Sequence, residues 1–439
     1  FGPMPEYIKV KIACRPEERS YIRIEVWLPT EIWNGDFLGT GNGGAAGELL
    51  PVVMIGPLKL GFAVANTDMG TSAGADCGIG NSAVWKDFGH RATHLMTVAA
   101  KEIIQCYYGV GPKHAYFSGT STGGQQALQE AQMYPNDYDG ILAGAPAFDR
   151  VNLHLGFLWD WLAVNAGHGG RFKAEEAHRI VQAVLKLRGQ EGGRPVDRPY
   201  MEHPHMITDM ADVLAQSGFT PEQVQSLAKI YTGATDPVTG QQIYEPTMMP
   251  GSEACDLGLV ARCEHPKFAQ EFFYLFRWVL GKDFDFTVFD FHKDAQRIHE
   301  ALDNDLNAAA PDLSAFRDRG GKLLLVHGTA DPIIPYTSSL RYYSQVQQKM
   351  GSVDQFFRLY LIPGMAHTFG GPGAQDIVFG LPATPKDKEH LALLALKEWV
   401  ETGDPPEALH PVVFRDNDLS NAFRADGLDH TLTVHPYGL

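Results

Sequence analysis

Cysteine is scarce in this sequence. The 439 residues contain five, at Cys14, Cys77, Cys106, Cys255 and Cys263, with no CxxC pair and no cysteine–histidine comb of zinc spacing. Neither a disulfide scaffold nor a structural zinc site is expected. An odd number leaves at least one thiol per chain unpaired, which fits a reducing compartment, while Cys255 and Cys263 keep the option of pairing. Positive charge is also short, since 36 Lys and Arg face 52 Asp and Glu for a formal net charge of −16. Binding a polyanion needs a basic footprint, so nucleic acid is not an expected partner. No run of about eighteen apolar residues occurs, so no helix is expected to span a membrane and no membrane partner is expected. No charged-then-apolar leader is read at the start. The compartment stays open, with cysteine usage leaning towards cytoplasmic over secreted.

What is present is a globular composition, 44% hydrophobic and 20% charged. Two regions alternate strand-like runs with helical patterns. The first covers roughly 1–150, with Tyr21 to Leu28, Phe37 to Leu38 and Gly61 to Asn66 as strands. A helix follows from about His90, and Leu95, Ala99, Ile103 and Tyr107 recur every fourth residue as its apolar face. The second covers 311–439, with Lys322 to Val326 and Phe356 to Leu361 as strands and Leu391 to Glu401 as a helix. Such alternation predicts an α/β fold, a mostly parallel sheet flanked by helices. Between the halves, 151–310 changes texture: helical stretches (Phe172 to Leu187, Pro221 to Tyr231) flank a Gly-, Pro- and His-rich segment, Gly189 to Met206, and an aromatic block runs from Phe268 to Phe291. This part reads as a lid inserted into a split core.

Acyl-transfer hydrolases of the α/β type place a serine at a sharp strand-to-helix turn, and the glycines of GxSxG remove side chains that would clash there. With 46 glycines in the chain, context must decide between two matches. Gly119-Thr120-Ser121-Thr122-Gly123 follows the strand-like His114 to Ser118 and precedes Gln125 to Ala131, a run of good helix formers. Gly70-Thr71-Ser72-Ala73-Gly74 runs into Ala75-Asp76-Cys77-Gly78, a poor helix start, so Ser72 is read as a loop residue. Ser121 is the nucleophile candidate. A serine hydroxyl needs a histidine to take its proton and a carboxylate to set the tautomer of that histidine, in the chain order Ser, acid, His. Asp331 lies just past the strand Leu323 to Val326, and His367 lies in the glycine-rich loop after Phe356 to Leu361. The tetrahedral intermediate needs two N–H donors. Thr122 supplies one, and the glycine loop Gly39-Thr40-Gly41-Asn42-Gly43-Gly44 supplies the other at Gly43 or Gly44. Gly39, Gly41 and Gly44 also fit GxGxxG, but Ala45-Ala46-Gly47 and Pro51 make a poor following helix, so no dinucleotide or other cofactor is expected.

With these residues in place the chain resembles the tannase and feruloyl esterase family over most of its length. The resemblance is carried by Glu25-Val26-Trp27-Leu28-Pro29, Trp33-Asn34-Gly35, Gly41-Asn42-Gly43-Gly44, Asp87-Phe88-Gly89-His90-Arg91-Ala92, Ser121-Thr122-Gly123-Gly124-Gln125-Gln126, Asp139 to Pro146 and Pro363-Gly364-Met365-Ala366-His367. It implies an α/β-hydrolase core with a lid, and hydrolysis of esters between an aromatic acid of hydroxycinnamic, gallic or terephthalic type and an alcohol. The partner is then a small-molecule aromatic ester. Three departures stand out. The family pattern has a disulfide between cysteines beside the catalytic serine and histidine; here those positions are Thr120 and Thr368, whose hydroxyls are candidates to replace it. The aspartate-rich calcium loop of the family lid is missing around Arg188 to Met206, where only Asp197 remains, so no metal is expected. At the C-terminal end, Val434-His435-Pro436-Tyr437 lacks the cysteine that often precedes the proline. In the aromatic block, Phe273, Phe276, Arg277 and Trp278 are the candidate substrate contacts, Arg277 as partner of a carboxylate or a ring; the competing reading makes Arg277 an ion-pair partner inside a lid helix. The alternative to an esterase is a non-catalytic ligand-binding protein on a hydrolase scaffold, suggested by the lost cysteine pair.

Overall fold

Strand Lys322–Gly328 reads Lys-Leu-Leu-Leu-Val-His-Gly, and every residue after Lys322 is buried. A run apolar on both faces belongs inside a sheet covered on both sides, and it is an interior strand with a neighbour on either side in the computed structural model, which describes residues 3–167, 170–188, 218–264 and 267–438. The strands are β1 (Tyr7–Cys14), β2 (Ile22–Pro29), β3 (Phe37–Thr40), β4 (Ala63–Thr67), β5 (Ala115–Thr120), β6 (Gly140–Gly144), β7 (Lys322–Gly328) and β8 (Phe357–Ile362). They form one sheet in the order β1-β2-β4-β3-β5-β6-β7-β8. β1, β2 and β4 pair antiparallel, and all pairs from β4–β3 to β7–β8 are parallel. Alternate side chains feed two cores: Phe37, Phe117, Ile141, Leu323 and Leu325 on one face, Leu38, Tyr116, Leu142, Leu324 and Val326 on the other. Helices Ala92–Tyr108, Thr122–Met133 and Tyr336–Met350 cover the first face, and Pro51–Lys59 and Ala392–Thr402 the second.

Two local expectations change. The helix from Ala92 buries Ala92, Thr93, Met96, Thr97, Ala100 and Ile104, whereas Tyr107 is exposed and Leu95 and Ile103 are only partly buried. Small residues let this helix lie close against the sheet, so the face with less apolar bulk is the one turned inward. Pro51 begins a helix rather than preventing one, standing at its first turn, where its missing N–H costs nothing. β6 escaped the sequence reading because glycine stands at both ends of its five residues.

The chain between β6 and β7 contributes helices Arg150–Asn165, Ala174–Arg188, Pro221–Thr232, Tyr274–Leu280 and Lys293–Leu306. Their apolar faces meet in two further clusters. The larger also takes in Met69, Val84 and Phe88 from the first half of the chain and Ile333 and Ile334 from the second. The layer over the strand ends is therefore built from three separate stretches of sequence. The segment 189–206, with the stretch where a calcium loop would lie, falls outside the described residues.

Candidate active site

Ser121 stands between β5 and helix Thr122–Met133 with φ 62 and ψ −120, a conformation that a residue with a side chain rarely adopts. The backbone is pinned there: Ser121 N–H donates to Gly144 O at 2.9 Å, and Ala147 N–H donates to Ser121 O at 3.1 Å. The flanking glycines are required by close approach. A Cβ on Gly119 would come within 2.4 Å of Gly123 O, and one on Gly41 within 2.5 Å of Gly123 Cα. The serine turn and the early glycine loop thus touch through glycine backbone, and Gly123 N–H donates to Asn42 O at 2.7 Å.

That loop is braced from behind. Asn42 N–H donates to Gln126 Oε1 at 2.8 Å, and Asn42 Nδ2 donates to Thr67 O at 2.8 Å. With the Asn42 amide committed, the open donors of the loop begin at Gly43. Gly43 and Gly44 are exposed, with nothing within 4 Å of the place a Cβ would take. Thr122 is the first residue of its helix, so its N–H has no intrahelical partner. The three residues expected to serve an oxyanion therefore flank one edge: the Thr122 hydroxyl donates to Gly44 O at 2.7 Å.

The acid and the histidine come together across loops that follow β7 and β8. His367 Nδ1 lies 2.7 Å from Asp331 Oδ2. A carboxylate accepts, so Nδ1 carries the proton and Nε2 is left free as a base. Asp331 is fully buried, and its Oδ1 accepts from Ile333 N–H at 3.0 Å and Ile334 N–H at 2.9 Å. Burial by itself raises its pKa, but the charge of His367, the hydrogen bond from His367 and the approach of His327 Nε2 to 3.5 Å of Oδ2 outweigh it and hold the carboxyl well below the usual range. His327 is buried under this loop, with Nε2–H donating to Ile334 O at 2.9 Å and Nδ1 accepting from the Ser339 hydroxyl at 2.7 Å.

Among the described residues no hydrogen bond joins the hydroxyls of Thr120 and Thr368. The Thr120 methyl instead packs against Gly144, where a Cβ would come within 2.6 Å of it. The acid and histidine loops are tied by Gly364 N–H to Thr329 Oγ1 at 2.9 Å and Ala330 N–H to Met365 O at 3.0 Å. Gly328 lets them pass, since a Cβ there would meet Met365 O at 2.2 Å.

The aromatic block is placed differently from expectation. Phe273, Phe276 and Trp278 have 0%, 0% and 1% of their surface exposed and sit inside the large cluster. Arg277 donates to Gly74 O at 3.0 Å and lies 3.6 Å from Asp76. Trp278 Nε1 donates to Ala75 O at 2.7 Å, with its ring over Gly78. With its rings packed and its guanidinium engaged, the block clamps the loop carrying the second GxSxG, where Ser72 is exposed. Residues the sequence reading missed are Gln126, Arg150, Tyr274 and His327. Arg150 and His154 offer one signal, as ionisable residues one turn apart in Arg-Val-Asn-Leu-His-Leu-Gly-Phe-Leu-Trp, where Asn152 is the only other polar side chain.

Away from this site, ligand-type atoms of Asp36, His114 and Glu401 converge. Lys397 donates to both carboxylates there and supplies the positive charge.

The sequence profile described as "Tannase and feruloyl esterase" matches residues 8–434. A probable feruloyl esterase B of Aspergillus clavatus is 31% identical over 434 aligned residues, covering 93% of this chain and 79% of that protein. An esterase from Aspergillus oryzae superposes with a TM-score of 0.84 at 28% identity, covering 98% of this chain and 86% of the other. Feruloyl esterase B from Aspergillus oryzae superposes with a TM-score of 0.82 at 25% identity, covering 98% and 87%.

Proposed function

The chain belongs to the tannase and feruloyl esterase family, a carboxylic ester hydrolase with the α/β-hydrolase fold, and on that premise we propose that it cleaves esters of phenolic and related aromatic acids through an acyl-enzyme on Ser121. The observation that carries the mechanism is the pairing of His367 Nδ1 with buried Asp331 at 2.7 Å, on loops that follow β7 and β8. Held in this tautomer, His367 offers Nε2 to the Ser121 hydroxyl. Proton transfer to Nε2 accompanies attack of Oγ on the ester carbonyl, and Asp331 stabilises the imidazolium that forms. The carbonyl oxygen becomes an oxyanion facing the N–H groups of Thr122 and of Gly43 or Gly44. Collapse expels the alcohol, which takes the proton from Nε2. Water then repeats the sequence on the acyl-enzyme and releases the acid.

The aromatic class of the acid is supported by relatives named as feruloyl esterases. Methyl ferulate, methyl gallate, chlorogenate and the mono-hydroxyethyl ester of terephthalate form the panel that sorts it by kcat/KM. Ser121→Ala is expected to lower kcat on the best of these by about 10⁴-fold or more. It is also expected to abolish labelling by a fluorophosphonate probe. Wild-type rates in that variant would sink the reading, and an unlabelled Ser121 in the native protein would favour a binding protein instead.

A further inference from the structure

Arg150 is the first residue of helix Arg150–Asn165 and only 3% exposed. A buried guanidinium usually meets a carboxylate. Among the described residues none lies within 4 Å of this one, and its Nε has no partner. Nη1 instead donates to the Thr122 hydroxyl at 3.0 Å, and Nη2 donates to Gly44 O at 2.9 Å and to the Tyr274 hydroxyl. Thr122 Oγ1 passes its own proton to Gly44 O at 2.7 Å, and Tyr274 OH approaches the same oxygen at 3.5 Å. One carbonyl thus receives three donors, all organised by one side chain. The cation rests on the faces of Phe88 and Tyr274, at 5.2 Å and 5.8 Å from the ring centroids, which offsets part of its desolvation without neutralising it. His154, one turn along, stays neutral, its pKa pushed down by burial and then by the Arg150 charge.

The two residues that Arg150 joins are the two sides of the oxyanion site, and a fixed positive charge behind them sits in a water-excluded setting where it acts strongly. We propose that Arg150 is a positioning residue for transition-state stabilisation: it locks the Gly44 peptide to Thr122 and places an uncompensated charge behind the donors that receive the oxyanion. The inference rests on the esterase reading above. Arg150 is buried behind the Thr122 hydroxyl and Gly44 O, so its effect is expected on the tetrahedral species and not on the bound ester.

The test measures kcat and KM for methyl ferulate, and the inhibition constants of an arylboronic acid, which mimics the tetrahedral adduct on serine, and of free ferulic acid. Arg150→Met is expected to lower kcat about 100-fold with KM within about threefold. Boronate affinity should fall in step with kcat/KM while ferulic acid affinity holds. Arg150→Lys, which keeps the charge, should recover at least about a tenth of the wild-type kcat. Folded Arg150→Met with kcat within about threefold of wild type, or with equal loss of boronate and ferulic acid affinity, overturns the proposal. If Arg150→Met does not fold, Thr122→Val decides: it severs one relay and should lower kcat about tenfold at unchanged KM, and unchanged kcat overturns the proposal. Ser121→Ala, run alongside, separates the two claims. An active Ser121→Ala removes the esterase mechanism itself, whereas an inactive one beside a fully active Arg150→Met removes only the role of Arg150.

Discussion

Ser121, Ala145 and Thr368 all carry positive φ (62, 36 and 70) and all lie at the proposed site. Each such residue costs on the order of 1–3 kcal/mol and survives only where neighbours over-determine it. At Ser121 the neighbours are Gly144 O and Ala147 N–H, and at Ala145 its own N–H is held by Val326 O at 2.9 Å. Thr368 stands where the family pattern has a cysteine, and a β-branched residue in this region is uncommon. The GxSxG context, Asp331 and His367 were legible in the sequence because each follows a readable strand. Gln126, His327 and Arg150 were not, because their roles depend on Asn42, Ile334 and Gly44 at distances that no local pattern records. Asp331→Asn should lower kcat about 10³–10⁴-fold near neutral pH by releasing the tautomer of His367, with KM little changed. Its folded pKa lies below the unfolded value, so ionised Asp331 contributes stability above roughly pH 4 that is lost as pH falls through the folded value. Denaturant midpoints of wild type and Asp331→Asn should therefore converge on acidification below about pH 4. A constant gap across pH 3–7 would contradict this account of Asp331.

At the scale of elements, strand positions came close to expectation and faces did not. β7 and β8 begin and end within a residue or two of the runs read from sequence. The helix from Ala92 shows why a face is harder: the apolar stripe of Leu95, Ala99, Ile103 and Tyr107 lies beside the buried one, and close packing favours Thr93, Thr97 and Ala100. The same override acts on helix Tyr274–Leu280. An arginine among aromatics suggests a ligand site, yet Asp76, Gly74 O and Gln270 O already engage Arg277. Arg277→Met is accordingly expected to lower stability by about 1–3 kcal/mol, through the loosened 70–80 loop and the unpaired groups left behind. KM for the terephthalate mono-ester should change less than about threefold, because the guanidinium is already engaged by Asp76 and Gly74 O. A tenfold rise in KM at unchanged thermal stability would restore Arg277 to the substrate.

For the whole molecule, the sheet places the two loops that matter side by side because β7 and β8 are parallel neighbours, while β5 delivers Ser121 two strands away from β7. All five cysteines are free, including Cys255 and Cys263. Thiol titration of the denatured, unreduced protein should return five thiols per chain, and reductant should leave Tm unmoved; three thiols would show that Cys255 and Cys263 pair. The sequence alone determined the alternation of strands and helices, the serine turn and the order of serine, acid and histidine. These rest on local steric rules and on periodicity, which act between residues a few positions apart. Only the tertiary structure decided that the aromatic block clamps a loop, that hydrogen bonds and close glycine contacts stand where the family pattern has a disulfide, and that Arg150 joins Thr122 to Gly44. Those outcomes depend on which distant groups are left to satisfy a buried charge or donor, and that is settled only when the layers pack.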